Sequence, residues 1–275
     1  MKKFLALVLA ALMVFAFVAC NGTGKDNNGA SNASDTSDTS DTSDTTEKAT
    51  LIMATNAAFP PYEYKEGESF AGIDVEIAGK IAEKLGMTLE IKDVEFGSII
   101  GGVQTGKFDI GMAGMTVTDE RLKSVNFSDS YATGIQVVIV KADSEIKSLD
   151  DLKGDGSMKF GVQQDTTGDI YASDTIENGG YGKDNVVRYK TGADAVQALK
   201  TGKVDAVIID NEPAKSFVKA NEGLSILDGD WVKENYAIAI AKENTELLEK
   251  VNGALKELIA DGTVKAIIDK YIPAE

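Results

Sequence analysis

The segment Val103-Gln104-Thr105-Gly106-Lys107-Phe108-Asp109 leads into an apolar run ending at Met112, and 96 residues later Thr201-Gly202-Lys203-Val204-Asp205 leads into another ending at Ile209. In both copies an amphipathic stretch stops at a Gly-Lys pair, the kind of turn that closes a helix, and a buried strand comes next. The repeat implies two halves of similar construction; independent convergence on a good helix stop is the alternative. Outward from it, Leu51 to Thr55, Leu89 to Lys92, Phe108 to Met112, Gln136 to Lys141, Lys159 to Val162, Val186 to Tyr189, Val204 to Ile209 and Tyr236 to Ala241 read as strands. Asp74 to Leu85, Phe96 to Thr105, Ala193 to Thr201, Glu212 to Asn221 and Thr245 to Asp261 read as helices. Alternation of strand and helix implies α/β layers with mostly parallel sheet.

Charge and composition narrow the function. The chain of 275 residues carries 28 basic and 44 acidic residues, net −16, a surface that repels nucleic acid and anionic lipid headgroups. It has no histidine, which removes the commonest metal ligand and general base, so neither a metal nor any other cofactor is expected. Its single cysteine, Cys20, leaves no intramolecular disulfide. Gly101 to Lys107 matches the start of a phosphate-binding loop, but Phe108 stands where a Ser or Thr is required. Trp231 and the methionines read as packing.

The N-terminus reads as an address. Lys2 and Lys3 precede an apolar stretch from Phe4 to Val18, which is long enough for a signal peptide and short for a membrane span of about 20 residues. Phe17-Val18-Ala19-Cys20 looks like a lipobox, so residues 1–19 are expected to be a lipoprotein signal peptide and Cys20 the lipidated residue. Residues 20–48, rich in Ser, Thr and Asp, read as a disordered tether reaching about 30 Å.

In open α/β sheets ligands bind beyond the carboxyl ends of strands. The residues just past each apolar run are therefore the candidate site: Asn56 and Phe59; Gly114, Thr116 and Arg121; Gln163, Thr166 and Thr167; and Asp210. An α-amino acid is a zwitterion, and a buried site for it needs both signs of charge. Arg121 suits the carboxylate through its planar fork, with backbone N–H groups near Thr166 and Thr167 sharing it. Asp210 suits the ammonium, helped by the Thr116 hydroxyl and the Gly114 carbonyl. A solvated arginine and a capping aspartate are the plainer reading of the spacing alone.

Gly72-Ile73-Asp74-Val75-Glu76-Ile77 with Ile81-Ala82 and Leu85 resembles the signature of the family 3 extracellular solute-binding proteins. Asn56 to Tyr64, Gly114 to Arg121, Phe127-Ser128-Asp129, Val204 to Asp210 and Val251 to Leu255 resemble the same family in order. The resemblance implies a type II periplasmic-binding fold of two α/β lobes joined by two hinge strands. Lobe 1 would be 49–133 plus 236–275 and lobe 2 134–235, with hinges near Tyr131 to Ile135 and Glu234 to Ile238. It also implies that Arg121 and Thr167 hold the ligand carboxylate and that Gly114, Thr116 and Asp210 hold the amine. Selectivity would rest on Asn56, Phe59, Phe96 and Gln163. The two aromatics are placed to sandwich the ligand's side chain, and the neutral amides favour a polar uncharged or sulfur-containing amino acid. Asp74 and Glu76, in the first turn of a helix, are expected to serve the helix dipole far from the ligand.

The implied protein is not an enzyme. It is a monomeric binding component, lipid-anchored at the extracytoplasmic face, that delivers a free L-amino acid to the permease and ATPase subunits of an ABC importer. The alternatives are a cyclohexadienyl dehydratase-like lyase on the same fold, with a carboxylate such as Glu63 as general acid, and an amino-acid sensory protein.

Overall fold

A computed structural model describes residues 49–153, 156–229 and 231–273. The signal peptide, Cys20 and tether expected from the sequence lie outside the described residues.

Two sheets organise the chain. The first runs in the order Thr88–Asp93, Thr50–Thr55, Ile110–Gly111, Ala239–Ala241, Val125–Phe127. Helices bury both of its faces. Leu51 and Met53 pack into one cluster with Ile77, Ile81, Val251 and Leu255, while the alternate residue Ala54 joins Ile99, Val103 and Phe108 in another. A strand covered on both sides reads as a continuous apolar run, which is how Thr50–Thr55 reads. The second sheet runs Val186–Tyr189, Phe160–Gln163, Ala206–Asp210, Ala132–Lys141, Leu224–Ile226, with Val232–Tyr236 also paired to Ala132–Lys141.

The sheets are mixed, not mostly parallel. Thr50–Thr55 pairs parallel with two neighbours and Phe160–Gln163 with two, but Ala239–Ala241 and Ala132–Lys141 pair antiparallel with all of theirs. The chain passes from the first sheet to the second along the long strand Ala132–Lys141 and returns beside it along Val232–Tyr236, with Tyr236 opposite Ala132. A chain that crosses out and back on adjacent strands must run them antiparallel.

The repeat is a shared device in three dimensions. Gly106 and Gly202 have φ of 73° and 72°, the left-handed conformation that glycine adopts without strain. Lys107 N–H donates to Gly102 O and Lys203 N–H to Ala198 O, each at 2.9 Å. The carboxylates just beyond clasp the neighbouring strand in the same way. Asp109 Oδ2 accepts Ile52 N–H at 2.7 Å, and Asp205 Oδ2 accepts Lys159 N–H at 2.8 Å.

All five expected helices form, at Ile73–Lys84, Gly97–Gln104, Gly192–Lys200, Asn211–Ala220 and Thr245–Ala260. The strand expected over Phe108 to Met112 is shortened to Ile110–Gly111, because the helix stop occupies the residues before it. A small antiparallel meander, Ala58–Phe59, Glu63–Glu66 and Ser69–Ala71, is absent from the sequence expectations, and it sets Phe59 opposite Glu63. Among the described residues no helix is long and apolar enough to cross a membrane.

Candidate functional site

A narrow cavity is lined by Asn56, Phe59, Glu63, Phe96, Ala113, Gly114, Thr116, Arg121, Gln163, Thr166, Thr167 and Asp210. It brings together all ten residues singled out from the sequence and adds Glu63 and Ala113. The meander supplies Phe59 and Glu63, segments that follow strands of the first sheet supply Asn56 and residues 96–121, and the second sheet with its connections supplies residues 163–210.

Arg121 lies in the helix Asp119–Ser124, whose N-terminus is capped by Thr118 accepting the Arg121 N–H at 3.2 Å. The guanidinium is buried. It donates from Nη1 to Thr116 O at 2.7 Å and from Nη2 to Asp165 O at 3.1 Å, and lies 5.3 Å from the centre of the Phe96 ring. Burial draws its pKa below the usual arginine range, against the pull of Glu234 and Asp210. A fixed, desolvated cation beside an aromatic ring is prepared to meet a carboxylate.

Asp210 ends the strand Ala206–Asp210 and stands at the N-cap of Asn211–Ala220. Burial pushes its carboxyl up to about 7; Glu234 adds to the rise, and hydrogen bonds from Tyr236 and Gln136 oppose it. Its Oδ1 accepts the Tyr236 hydroxyl. An ammonium placed against Asp210 would favour its charged form.

Gly114 has φ of 52°, and a Cβ there would stand 2.9 Å from the Phe59 ring. Only glycine lets the chain turn at that point and pass the ring. Across the cavity, Gln163 Nε2 donates to Asn56 Oδ1 at 2.8 Å and to Lys190 O at 3.2 Å, while Asn56 Nδ2 donates to Val94 O at 2.8 Å. The two amides singled out for selectivity are thus bonded to each other. Thr166 caps the helix Thr167–Ser173, accepting Asp169 N–H at 3.3 Å, and Thr167 is buried at its first position.

One expectation is overturned. Asp74, in the first turn of its helix, does not stand far from the site: it is wholly buried, and its Oδ2 accepts the Gly114 N–H at 2.8 Å and the Tyr131 hydroxyl at 2.9 Å. The signal was present in the sequence. Asp74 falls on the helix stripe Ile73, Ile77, Ala78, Ile81 and Ala82, whereas Glu76 lies off it and pairs with Lys270 and Tyr271. Two further residues near the site were not singled out as part of it, Glu234 and Tyr236. Glu234 is buried and accepts Gln136 Nε2 at 2.9 Å. Among the described residues no group of three or more His, Cys, Asp or Glu is arranged to hold a metal ion.

The chain is 35% identical over 278 residues to the arginine-binding extracellular protein ArtP of Bacillus subtilis (strain 168), covering 100% of both chains. A solved structure of an ancestral arginine-binding protein bound to glutamine shares 40% identity with a TM-score of 0.75, covering 82% of this chain and 99% of that one. The solved ancestral amino acid-binding protein AncCDT-1, a precursor of cyclohexadienyl dehydratase, shares 34% identity with a TM-score of 0.73, covering 81% and 95%. A family model described as bacterial extracellular solute-binding proteins, family 3, matches residues 51–274. With that match over nearly all the described residues, and with two α/β lobes enclosing the cavity, the chain belongs to the family 3 bacterial extracellular solute-binding proteins.

Proposed function

We propose that the chain is the extracytoplasmic substrate-binding component of an amino-acid ABC importer and captures one free L-amino acid between its lobes. The observation that carries the reading is that a buried cation, Arg121, and a buried carboxyl, Asp210, line one small cavity together with Phe59 and Phe96. A free zwitterion answers both charges at once; a sugar answers neither, and an internal peptide residue has no free termini. Lobe 1 spans 49–133 plus 236–275 and lobe 2 spans 134–235. Closure about the segments near Tyr131 to Ile135 and Glu234 to Ile238 is a shift toward the state in which both charges are paired. Arg121 and Thr167 take the ligand carboxylate, and Gly114, Thr116 and Asp210 take the amine. The protein is held at the membrane through lipid on Cys20 and hands its ligand to permease and ATPase subunits.

L-Arginine and L-glutamine are the first candidates. The relatives above bind them, and the amide pair Asn56–Gln163, lining the same cavity as Phe59 and Phe96, offers amide oxygens to a planar N–H-bearing side chain. Calorimetry should find one amino acid bound per chain with micromolar or tighter affinity, about −8 kcal/mol or better. A sugar or oligopeptide as the sole ligand would refute the reading. Cys20→Ser tests the anchor: it should abolish partition into the detergent phase, and wild-type protein remaining in the aqueous phase would refute lipidation.

A second reading rests on Glu63, a cavity-lining carboxyl that burial and the neighbouring Asp74 hold well above the usual range. A neutral acid beside the ligand is what a dehydratase would use. Release of water and formation of an aromatic product from a cyclohexadienyl amino acid would favour it over simple capture.

A further inference from the structure

At its N-cap position Asp210 would ordinarily turn its carboxylate back onto the first N–H groups of the helix Asn211–Ala220. It does not, and no side-chain cap bond forms there. The carboxylate accepts the Tyr236 hydroxyl instead, and both residues are buried. Tyr236 ends the strand Val232–Tyr236 and does not line the cavity. Its ring occupies a slot that glycine leaves open. Gly134 stands opposite Glu234 on the neighbouring strand, diagonal to Tyr236 and on the same face. A Cβ built on Gly134 would overlap the Tyr236 hydroxyl and stand 2.8 Å from the ring's Cε1. Tyr62 packs edge-on against the same ring, with centres 5.1 Å apart. From this place Tyr236 meets each of the three positions proposed to hold the ligand's amine. Its hydroxyl donates to Asp210, its backbone bridges Thr116, and its ring edge lies 3.6 Å from the point a Gly114 Cβ would occupy.

We infer that Tyr236 is a positioning residue that assembles the amine half of the cleft, its hydroxyl holding the Asp210 carboxylate off its own helix and at the cavity wall beside Gly114 and Thr116. The inference rests on the amino-acid reading of the cleft. Tyr236 acts from behind the wall, without touching the ligand. A carboxylate with a fixed donor meets an ammonium in one orientation. Without that donor it is free to fall back onto the N–H groups at the start of Asn211–Ala220, whose partial positive charge competes with the ammonium.

A role confined to the amine is separable from a role in packing. Affinities for L-arginine and L-glutamine are compared, by competition calorimetry, with those for 5-guanidinopentanoate and glutaramate, the same molecules without the α-amine. Wild type, Tyr236→Phe and Gly134→Ala are measured at pH 7, each checked for folding by circular dichroism. The ratio of amino-acid to analogue affinity reports on the amine. Tyr236→Phe keeps the ring and removes the donor, and should lower that ratio about tenfold, the effect of losing a hydrogen bond to a charged group. Gly134→Ala keeps the hydroxyl but fills its slot, and should lower the ratio in the same direction. A ring that served packing alone would weaken amino acid and analogue together and leave the ratio unchanged. The proposal is overturned if the ratio in Tyr236→Phe stays within about twofold of wild type, the spread of uncoupled changes, or if folded Gly134→Ala keeps the wild-type ratio. In either case a wild type that prefers the amino acid leaves the reading of the cleft standing. Should Gly134→Ala fail to fold, Tyr236→Phe decides alone. If wild type binds no amino acid more tightly than its analogue, the reading of the cleft fails and this proposal with it.

Discussion

The two halves of the molecule stop a helix and start a strand with the same atoms, then diverge within five residues. Thr105 Oγ1 donates to Gly101 O, and Thr201 Oγ1 donates to Gln197 O; Asp109 and Asp205 each clasp the backbone of the adjacent strand. Five residues past each aspartate stand Gly114 in one half and Asp210 in the other. The first strand end is left without a side chain, and the chain loops on to deliver Arg121. The second ends in a carboxylate and turns directly into a helix. Asn56 and Gln163 lie four residues beyond the clasped positions Ile52 and Lys159, and they meet across the cavity at 2.8 Å. Turn chemistry is shared because it builds a half; under the proposed function the charges differ because a zwitterion has two unlike ends.

The largest test of that division separates the ends. Arg121→Ala and Asp210→Ala each leave one ligand charge buried without its partner, a loss of about 2–5 kcal/mol, roughly 30- to several thousand-fold in affinity. Small-angle scattering should show ligand-induced compaction in wild type and none in either variant at ligand concentrations that saturate wild type. Folded variants that bind and compact like wild type would mean that the two halves do not divide the ligand in this way.

A middle-sized effect is expected from pH, and the halves share it. Asp210 and Asp74 are each pushed up to about 7 by burial, and burial also raises Glu63 well above the usual carboxylate range. In the unfolded chain such carboxyls lose their protons near pH 4. Between about pH 4 and 7 the native state holds more protons than the unfolded one, so stability falls as pH rises through that window. The unliganded protein should melt at a higher temperature at pH 5 than at pH 8. Net charge of −16 pushes the same way, so the discriminating comparison is Asp210→Asn, which should show a shallower fall. Equal slopes in the two proteins would remove Asp210 from the account. Saturating ligand should also flatten the slope, because its ammonium favours ionised Asp210.

How much of this is legible in the sequence depends on whether a residue's partners lie near it along the chain. The apolar stripe of Asp74 to Leu85 announces its helix, and Arg121 and Asp210 stand out because each lies just past a strand-like run. The meander Ala58 to Ala71 escapes notice because its strands are two to four residues long and mix Glu, Lys and Ser with aromatics, so no period develops. Glu234 is not legible as a residue of the site: Val232, Glu234 and Tyr236 alternate as a strand should, but a charged residue ordinarily marks the solvent face. Its burial depends on Gln136, 98 residues away.

The smallest effect probes the shared part of the comparison. Asp109→Ala and Asp205→Ala each remove the acceptor of one strand N–H, Ile52 in the first half and Lys159 in the second. The geometry is the same within 0.1 Å, at 2.7 and 2.8 Å, so any difference must come from surroundings. Asp109 is half-buried and Asp205 is exposed. Water can replace the acceptor at Lys159 more readily than at Ile52, so Asp109→Ala should cost about 1–2 kcal/mol and Asp205→Ala about 0.5–1 kcal/mol. Urea unfolding followed by circular dichroism measures both, with equal m-values as the sign that only native stability has changed. Ligand affinity should stay within about twofold in each variant, because neither aspartate lines the cavity. If the exposed Asp205 proved the costlier loss, burial would not be what separates the two copies. The repeat would then be two unrelated turns that share a sequence.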